Sequence, residues 1–289
     1  MSHFAAGVLL LCCTAAALDA PPRALRSGLI DRATATALMR SATVRFESDG
    51  WAEDAARSLL DEGFCVVRAG GAQISDRILE SCRTVASARL SDLLARVGRR
   101  GVELWPDASE PFRYLELVHR EGTGRYDMPL PWCIDGQAGD VSLPAADEAA
   151  FGELHSAMDG VARPVLGALW PVSDEMRAGC VISEPGALAQ PSHRDGPDGL
   201  VTVFAPLTAF VPRNGPTEVS PATHRGGDDS SSVAPLLQPG DVLLFDYRCL
   251  HRGLANEGDA RREVAYAVYS RQGVRDIQNF PSATTLEYD

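Results

Sequence analysis

A chain of 289 residues, 45% hydrophobic and 23% charged, has the make-up of a folded protein of one large domain or two small ones. Its formal net charge of −12 argues against nucleic acid or an anionic membrane surface as the main partner. All 27 cationic residues are Arg, which excludes Schiff-base chemistry on a lysine and the usual phosphate-loop Lys.

Phe4 to Leu18 is an uncharged apolar run, short for a membrane span and suited to the core of a secretory signal. Residues 1–20 are therefore expected to be a signal peptide, cleaved after Ala17 or Ala20, although the preceding Met-Ser-His lacks the customary basic residue. Residues 21–45 hold Arg23, Arg26, Arg32, Arg40 and Arg45 against Asp31, among Ala, Ser and Thr. That is the composition of a transit-like segment, so a bipartite plastid leader stands beside a plain secretory signal with an unstructured linker. The chain ends in EYD, so a peroxisomal C-terminal signal is not expected. Taking away the net +3 of residues 1–45 leaves −15 on residues 46–289, which form the expected domain. Five of the seven Cys fall in that body without a C-x-x-C, so buried thiols are expected rather than disulfides or a zinc cluster.

The body opens with alternating helix and strand. Trp51, Ala55, Leu59 and Leu60 have helical spacing and Gly63 follows as a stop. FCVVRAGG reads as a short strand, and Ile78, Cys82, Val85, Leu90 and Leu93 mark a long helix starting near Ser75-Asp76. One strand is expected over Arg113–His119, another in GRYDMPLPW, and a helix over Asp147–Leu169 kinked or split at Arg163-Pro164. Arg125 and Asp127 suit either a substrate mouth or a structural salt bridge. His119 and His155 read as surface or core residues, and His224 and Asn256 as loop residues or supports for a site.

From Gly179 onward the pattern becomes short strands broken by Gly, Pro and Asn: CVISEPG, LVTVFAPLTAFV, TEVSP, DVLLFDYRCLH and EVAYAVYSR. Such a run without intervening helices predicts a mostly β body with flanking α helices, an antiparallel sandwich or jelly roll. Read as one strand, DVLLFDYRCLH points Phe245, Tyr247, Cys249 and His251 to a common face.

The stretch QPSHRDG places His193 and Asp195 two residues apart, so on extended backbone both side chains leave the same face. His251, 58 residues on, can complete a set of two His and one carboxylate. That donor set with open opposite positions suits a non-haem Fe(II) oxygenase.

Four motifs in order, QPSHRDG, RNGPTEVSPATHR, PGDVLLFDYRCLHRGLAN and ARREVAYAVYS, resemble the phytanoyl-CoA dioxygenase family of Fe(II)- and 2-oxoglutarate-dependent oxygenases. The resemblance extends over roughly Asp49 to Arg271. It implies a double-stranded β-helix (a cupin-like jelly roll) in which His193, Asp195 and His251 bind Fe(II) and O2 and 2-oxoglutarate are cosubstrates. Relatives place an Arg eleven residues after the distal His for the far carboxylate of 2-oxoglutarate, and here that is Arg262. It would share a strand face with Val264, Tyr266 and Val268, and a register one residue different would substitute Arg261. Thr217 and Gln190 fall where relatives have polar contacts to the cosubstrate. The chain departs from some relatives in having Gly253 two residues after the distal His, and in having no Lys. An intact Asp195 implies hydroxylation or a related oxidation rather than halogenation. The implied reaction hydroxylates an unactivated C–H bond of a small organic or lipid-like substrate, releasing succinate and CO2. A metal-binding jelly roll of cupin type that is not an oxygenase, or a silent binding relative, is the alternative. No stable membrane span is expected, and no oligomeric state is assigned.

Overall fold

The computed structural model describes residues 24–28, 30–69, 74–108, 110–120, 122–129, 145–228, 231–276, 279 and 285–286. The expected signal peptide, residues 1–20, lies outside them.

The strands form two sheets of a jelly roll, as expected. The smaller has the order β1-β10-β9-β12, from β1 (Ala24–Gly28), β9 (Thr217–Val219), β10 (Ser231–Pro235) and β12 (His251–Gly253). The larger has nine strands, β2-β3-β11-β8-β13-β7-β6-β5-β4. They are β2 (Thr43–Arg45), β3 (Phe64–Arg68), β4 (Phe112–Arg113), β5 (Val118–His119), β6 (Arg125–Pro129), β7 (Ser173–Ser183), β8 (Leu200–Pro206), β11 (Asp241–Asp246) and β13 (Arg262–Arg271).

Side-chain alternation divides the large sheet between two cores. Cys65 and Val67 of β3, Val242 and Leu244 of β11, and Ala265 and Ala267 of β13 face one side. There they meet helices α2 (Trp51–Glu62), α3 (Asp76–Arg99) and α4 (Ala145–Leu169). The buried row Leu79, Cys82, Ala86, Leu90, Leu93 and Val97 on α3 has the three- and four-residue spacing of one helix face. The intervening residues Phe64, Val66, Leu243, Phe245 and Val264 turn the other way and pack on Val219 and Val233 of the small sheet. Gly63 ends α2 in the left-handed region at φ 81°, where a Cβ would press on His224.

Several elements differ from the sequence reading. From Ala24 the expected linker is built into the fold. β1 pairs with β10, α1 (Arg32–Ser41) is capped by Asp31 accepting from the Ala33 and Thr34 N–H groups, and β2 runs parallel to β3. Met39 and Ala42 are buried in the core between the sheets, so these residues gain apolar burial that a solvated linker lacks. The single strand expected over Arg113–His119 is two, β4 and β5, paired Phe112 to His119 around a turn in which the Tyr114 N–H bonds the Leu117 carbonyl. Helix α4 runs through Pro164 without division. DVLLFDYRCLH is likewise not one strand. β11 ends at Asp246 in the large sheet, a turn follows, and β12 begins at His251 in the small one. The Cys249 thiol donates to the Ser220 carbonyl.

Candidate active site

His193 and Asp195 lie on a short extended segment that pairs with the start of β12. The His193 N–H bonds the His251 carbonyl and the His251 N–H returns the bond to His193, each at 3.0 Å. This two-way bridge brings the imidazoles together with ring centroids 4.6 Å apart. Asp195 is fixed on the other side, its N–H donating to the Tyr247 carbonyl at 2.9 Å and its carbonyl accepting from the Asn279 amide at 2.7 Å. One ligand atom from each of His193, Asp195 and His251 falls within 4.8 Å of the others. The Nε2 atoms lie 3.7 and 3.5 Å from the two oxygens of the Asp195 carboxylate.

The ring hydrogens settle which nitrogens are available. His193 Nδ1 lies 2.9 Å from the Pro191 carbonyl and His251 Nδ1 lies 3.0 Å from the Cys249 carbonyl. A carbonyl only accepts, so each Nδ1 carries a hydrogen and each Nε2 is the ring atom turned toward Asp195. Burial and the neighbouring His251 imidazole push His193 below its ordinary value, favouring the neutral form that ligates. Two imidazoles and a carboxylate converging on one point, with the outer ring N–H groups held by backbone, fit a divalent transition metal.

Beside this cluster a cavity of about 790 Å³, mouth included, opens between the sheets. Its walls follow from the register of three strands. Ser183 of β7 is opposite Arg125 of β6 and also opposite Arg262 of β13, so two guanidiniums flank one position. Val181 is opposite Asp127 and Val264, and Gly179 is opposite Pro129 and Tyr266. Arg262, Val264, Tyr266 and Val268 share the inward face, as the sequence reading expects. Arg261 points away and pairs with Glu184 at 2.9 Å and with the Ser87 hydroxyl.

Arg262 is 2% exposed and takes no hydrogen bond or ion pair from the described residues, and its Nε is buried without a partner. Its nearest interaction is with the Phe210 ring, 5.2 Å from the guanidinium carbon. Burial pushes it down to about 10, so it remains a cation at neutral pH. A buried guanidinium lacking an anion beside three metal-type donors is a site that wants a carboxylate. Arg125 is 3% exposed and donates to the Leu188 and Leu254 carbonyls, with its Nε unpartnered. Burial, then Arg262 and Arg120, lower it to about 9. Its guanidinium fills the space that a side chain at Gly253 would need, since a Cβ there would lie 2.8 Å from its central carbon. Gln190 and Thr217 both line the cavity, and the Gln190 side-chain Oε1 accepts the Gly253 N–H at 3.0 Å. Arg125 and Asp127 thus belong to the cavity and not to a salt bridge with each other. Tyr247 lines it as well, and Thr202 and Asn279 also reach it and carried no sequence signal of their own. His224 holds the Leu60 carbonyl and Asn256 holds the Ser183 and Ala260 carbonyls, both outside the cavity.

Fold and site together define a jelly-roll protein with a two-His, one-carboxylate cluster beside a cationic cavity. Residues 125–264 match the family model described as phytanoyl-CoA dioxygenase. Dioxygenase FrzG of Cladobotryum sp is 30% identical over 115 residues, 30% of this chain and 38% of that protein. The multifunctional dioxygenase ausE of Emericella nidulans is 30% identical over 126 residues, 34% of this chain and 42% of that protein. The chain thus spans well under half the length of these curated relatives in the aligned region. The solved structure of SnoN, a non-heme alpha ketoglutarate dependent epimerase from nogalamycin biosynthesis, superposes with a TM-score of 0.52 at 16% identity. It covers 78% of this chain and 82% of that one, a likeness of fold.

Proposed function

We propose that this protein is an Fe(II)- and 2-oxoglutarate-dependent dioxygenase acting on a small organic molecule. The observation that carries the reading is the buried, anion-less Arg262 in the same cavity as His193, Asp195 and His251. A metal-binding jelly roll with no dicarboxylate cosubstrate has no use for a buried guanidinium there, which weighs against the non-oxygenase alternative. The family match over residues 125–264 and the dioxygenase relatives support the same reading.

The residues divide the work. His193, Asp195 and His251 would hold the metal, with the two Nδ1–H donors fixing the rings so that Nε2 faces inward. Arg262 would anchor the far carboxylate of 2-oxoglutarate, with Arg125 adding a second positive charge from across Ser183. Thr217 and Gln190 border the same space. When bound, Fe(II) with 2-oxoglutarate and O2 supplies oxidative decarboxylation to succinate and CO2, coupled to hydroxylation of a C–H bond. Val181, Phe204, Val264 and Val268 give the cavity apolar walls that limit water around the reacting groups.

The purified chain, supplied with Fe(II), O2 and 2-oxoglutarate, is expected to form succinate even without added substrate. Replacing His193, Asp195 or His251 with Ala should stop it. An absence of both succinate formation and 2-oxoglutarate binding in the wild type would refute the reading.

A further inference from the structure

A second polar station lies in the cavity one inward-facing step along β6 from Arg125. Four of the five residues of β6 are buried, and Asp127 alone is partly open, facing the cavity. It accepts one hydrogen bond, at 2.8 Å, from the Tyr266 hydroxyl. Tyr266 belongs to a row of residues one step farther along the sheet than Asp127, and it reaches across Gly179 to make this bond. Gly179 permits the reach, because a Cβ there would overlap the Tyr266 hydroxyl. The phenol, the glycine and the acid therefore form one fitted arrangement across three strands.

The acid has no structural duty that explains it. No cation pairs with Asp127 among the described residues, and Arg120 and Arg177 act on it only through space. Burial pushes its carboxyl above the usual range, which the Tyr266 bond and those two arginines partly offset. A carboxyl kept half-open without a cation is costly unless something else donates to it. Tyr266 occupies one oxygen, leaving acceptor capacity on the other. Along β13, Tyr266 lies four positions from Arg262, roughly 13 Å of strand, so the phenol draws Asp127 toward the end of the cavity opposite Arg262.

We propose that Asp127, oriented by Tyr266, is the specificity-determining residue of the substrate end and accepts a hydrogen bond from a hydroxyl group on an otherwise apolar substrate. The inference rests on the dioxygenase reading, and names the substrate class of that site as alcohols. The walls beside it, Val181, Phe204 and Val268, suit a hydrocarbon body. A site built to accept from a hydroxyl rejects the analogue that can only accept, because two acceptors then face each other.

The test uses the metal-free full chain and two probes of equal size, cyclohexanol, which donates, and cyclohexanone, which only accepts. Calorimetric titration should show cyclohexanol binding about tenfold tighter. Asp127→Ala should abolish the preference. Asp127→Asn, whose amide can donate, should shift it toward the ketone, and Tyr266→Phe should narrow it. Equal affinity of the two probes for the wild type, a preference unchanged in both Asp127 variants, or no binding of either probe overturns the proposal. Titrating the same wild-type protein with 2-oxoglutarate in the presence of Mn(II) reports separately on the dioxygenase reading. Cosubstrate binding without an alcohol preference sinks the Asp127 role alone.

Discussion

Arg261 and Arg262 are adjacent in sequence, yet one faces partners outside the site and the other faces the cavity. Their separation was legible because β13 is a continuous strand, so the two-residue period of Val264, Tyr266 and Val268 extends back to Arg262. Arg262→Ala should weaken 2-oxoglutarate binding by about 2–5 kcal/mol, roughly 30- to several-thousand-fold, by removing a charge-assisted carboxylate partner. Arg261→Ala breaks only the pair with Glu184 and should bind 2-oxoglutarate as the wild type does. Titrating both variants with 2-oxoglutarate decides it, and a weaker Arg261 variant would move the anchor by one residue. Arg125 and Asp127 were harder to place. Their roles depend on β6 lying against β7, a pairing between segments more than fifty residues apart that no local pattern specifies.

At the scale of elements, periodic segments were the readable ones. Helices α2 and α3 announce themselves by apolar spacing, and β3, β8 and β13 by runs of β-branched and aromatic residues. The misreadings came where tertiary pairing overrode composition. α1 is rich in Arg, Thr and Ala and carries only Ala35 and Met39 as buried residues, so its sequence resembles a leader. β10, SSVAP, has too little apolar character to stand out, and is held by Val219 of β9 and by β1. His251 was identified by its spacing and motif, whereas the alternation read through DVLLFDYRCLH does not survive the change of sheet after Asp246. The incorporation of α1 makes a stability prediction. Met39 is 2% exposed in the core between the sheets. Met39→Ala should therefore destabilise the protein by about 2–5 kcal/mol, measured by chemical denaturation. A change within about 0.5 kcal/mol would mean the segment is the solvated linker that its composition suggests.

For the whole molecule, the two sheets have separate tasks. The small sheet brings His251 and Thr217, the large one brings Arg125, Asp127 and Arg262, and the segment carrying His193 and Asp195 bridges to β12. The donor set thus meets Arg262 only when the sandwich has closed, and cosubstrate binding beside the metal is coupled to the native fold. Sequence spacing could name the three ligands because the donor types are few and the motifs ordered. It could not supply the cavity, which arises from the register of β6, β7, β8 and β13. The helices on the outer face bury the opposite side of the large sheet and leave this inner face for chemistry. The most direct measurement is an anaerobic calorimetric titration of the metal-free protein with Fe(II), followed by 2-oxoglutarate. The account predicts one ion per chain, 2-oxoglutarate bound tightly only after the metal, and loss of the ion in His193→Ala, Asp195→Ala and His251→Ala. Wild-type Fe(II) affinity persisting in all three variants would contradict it.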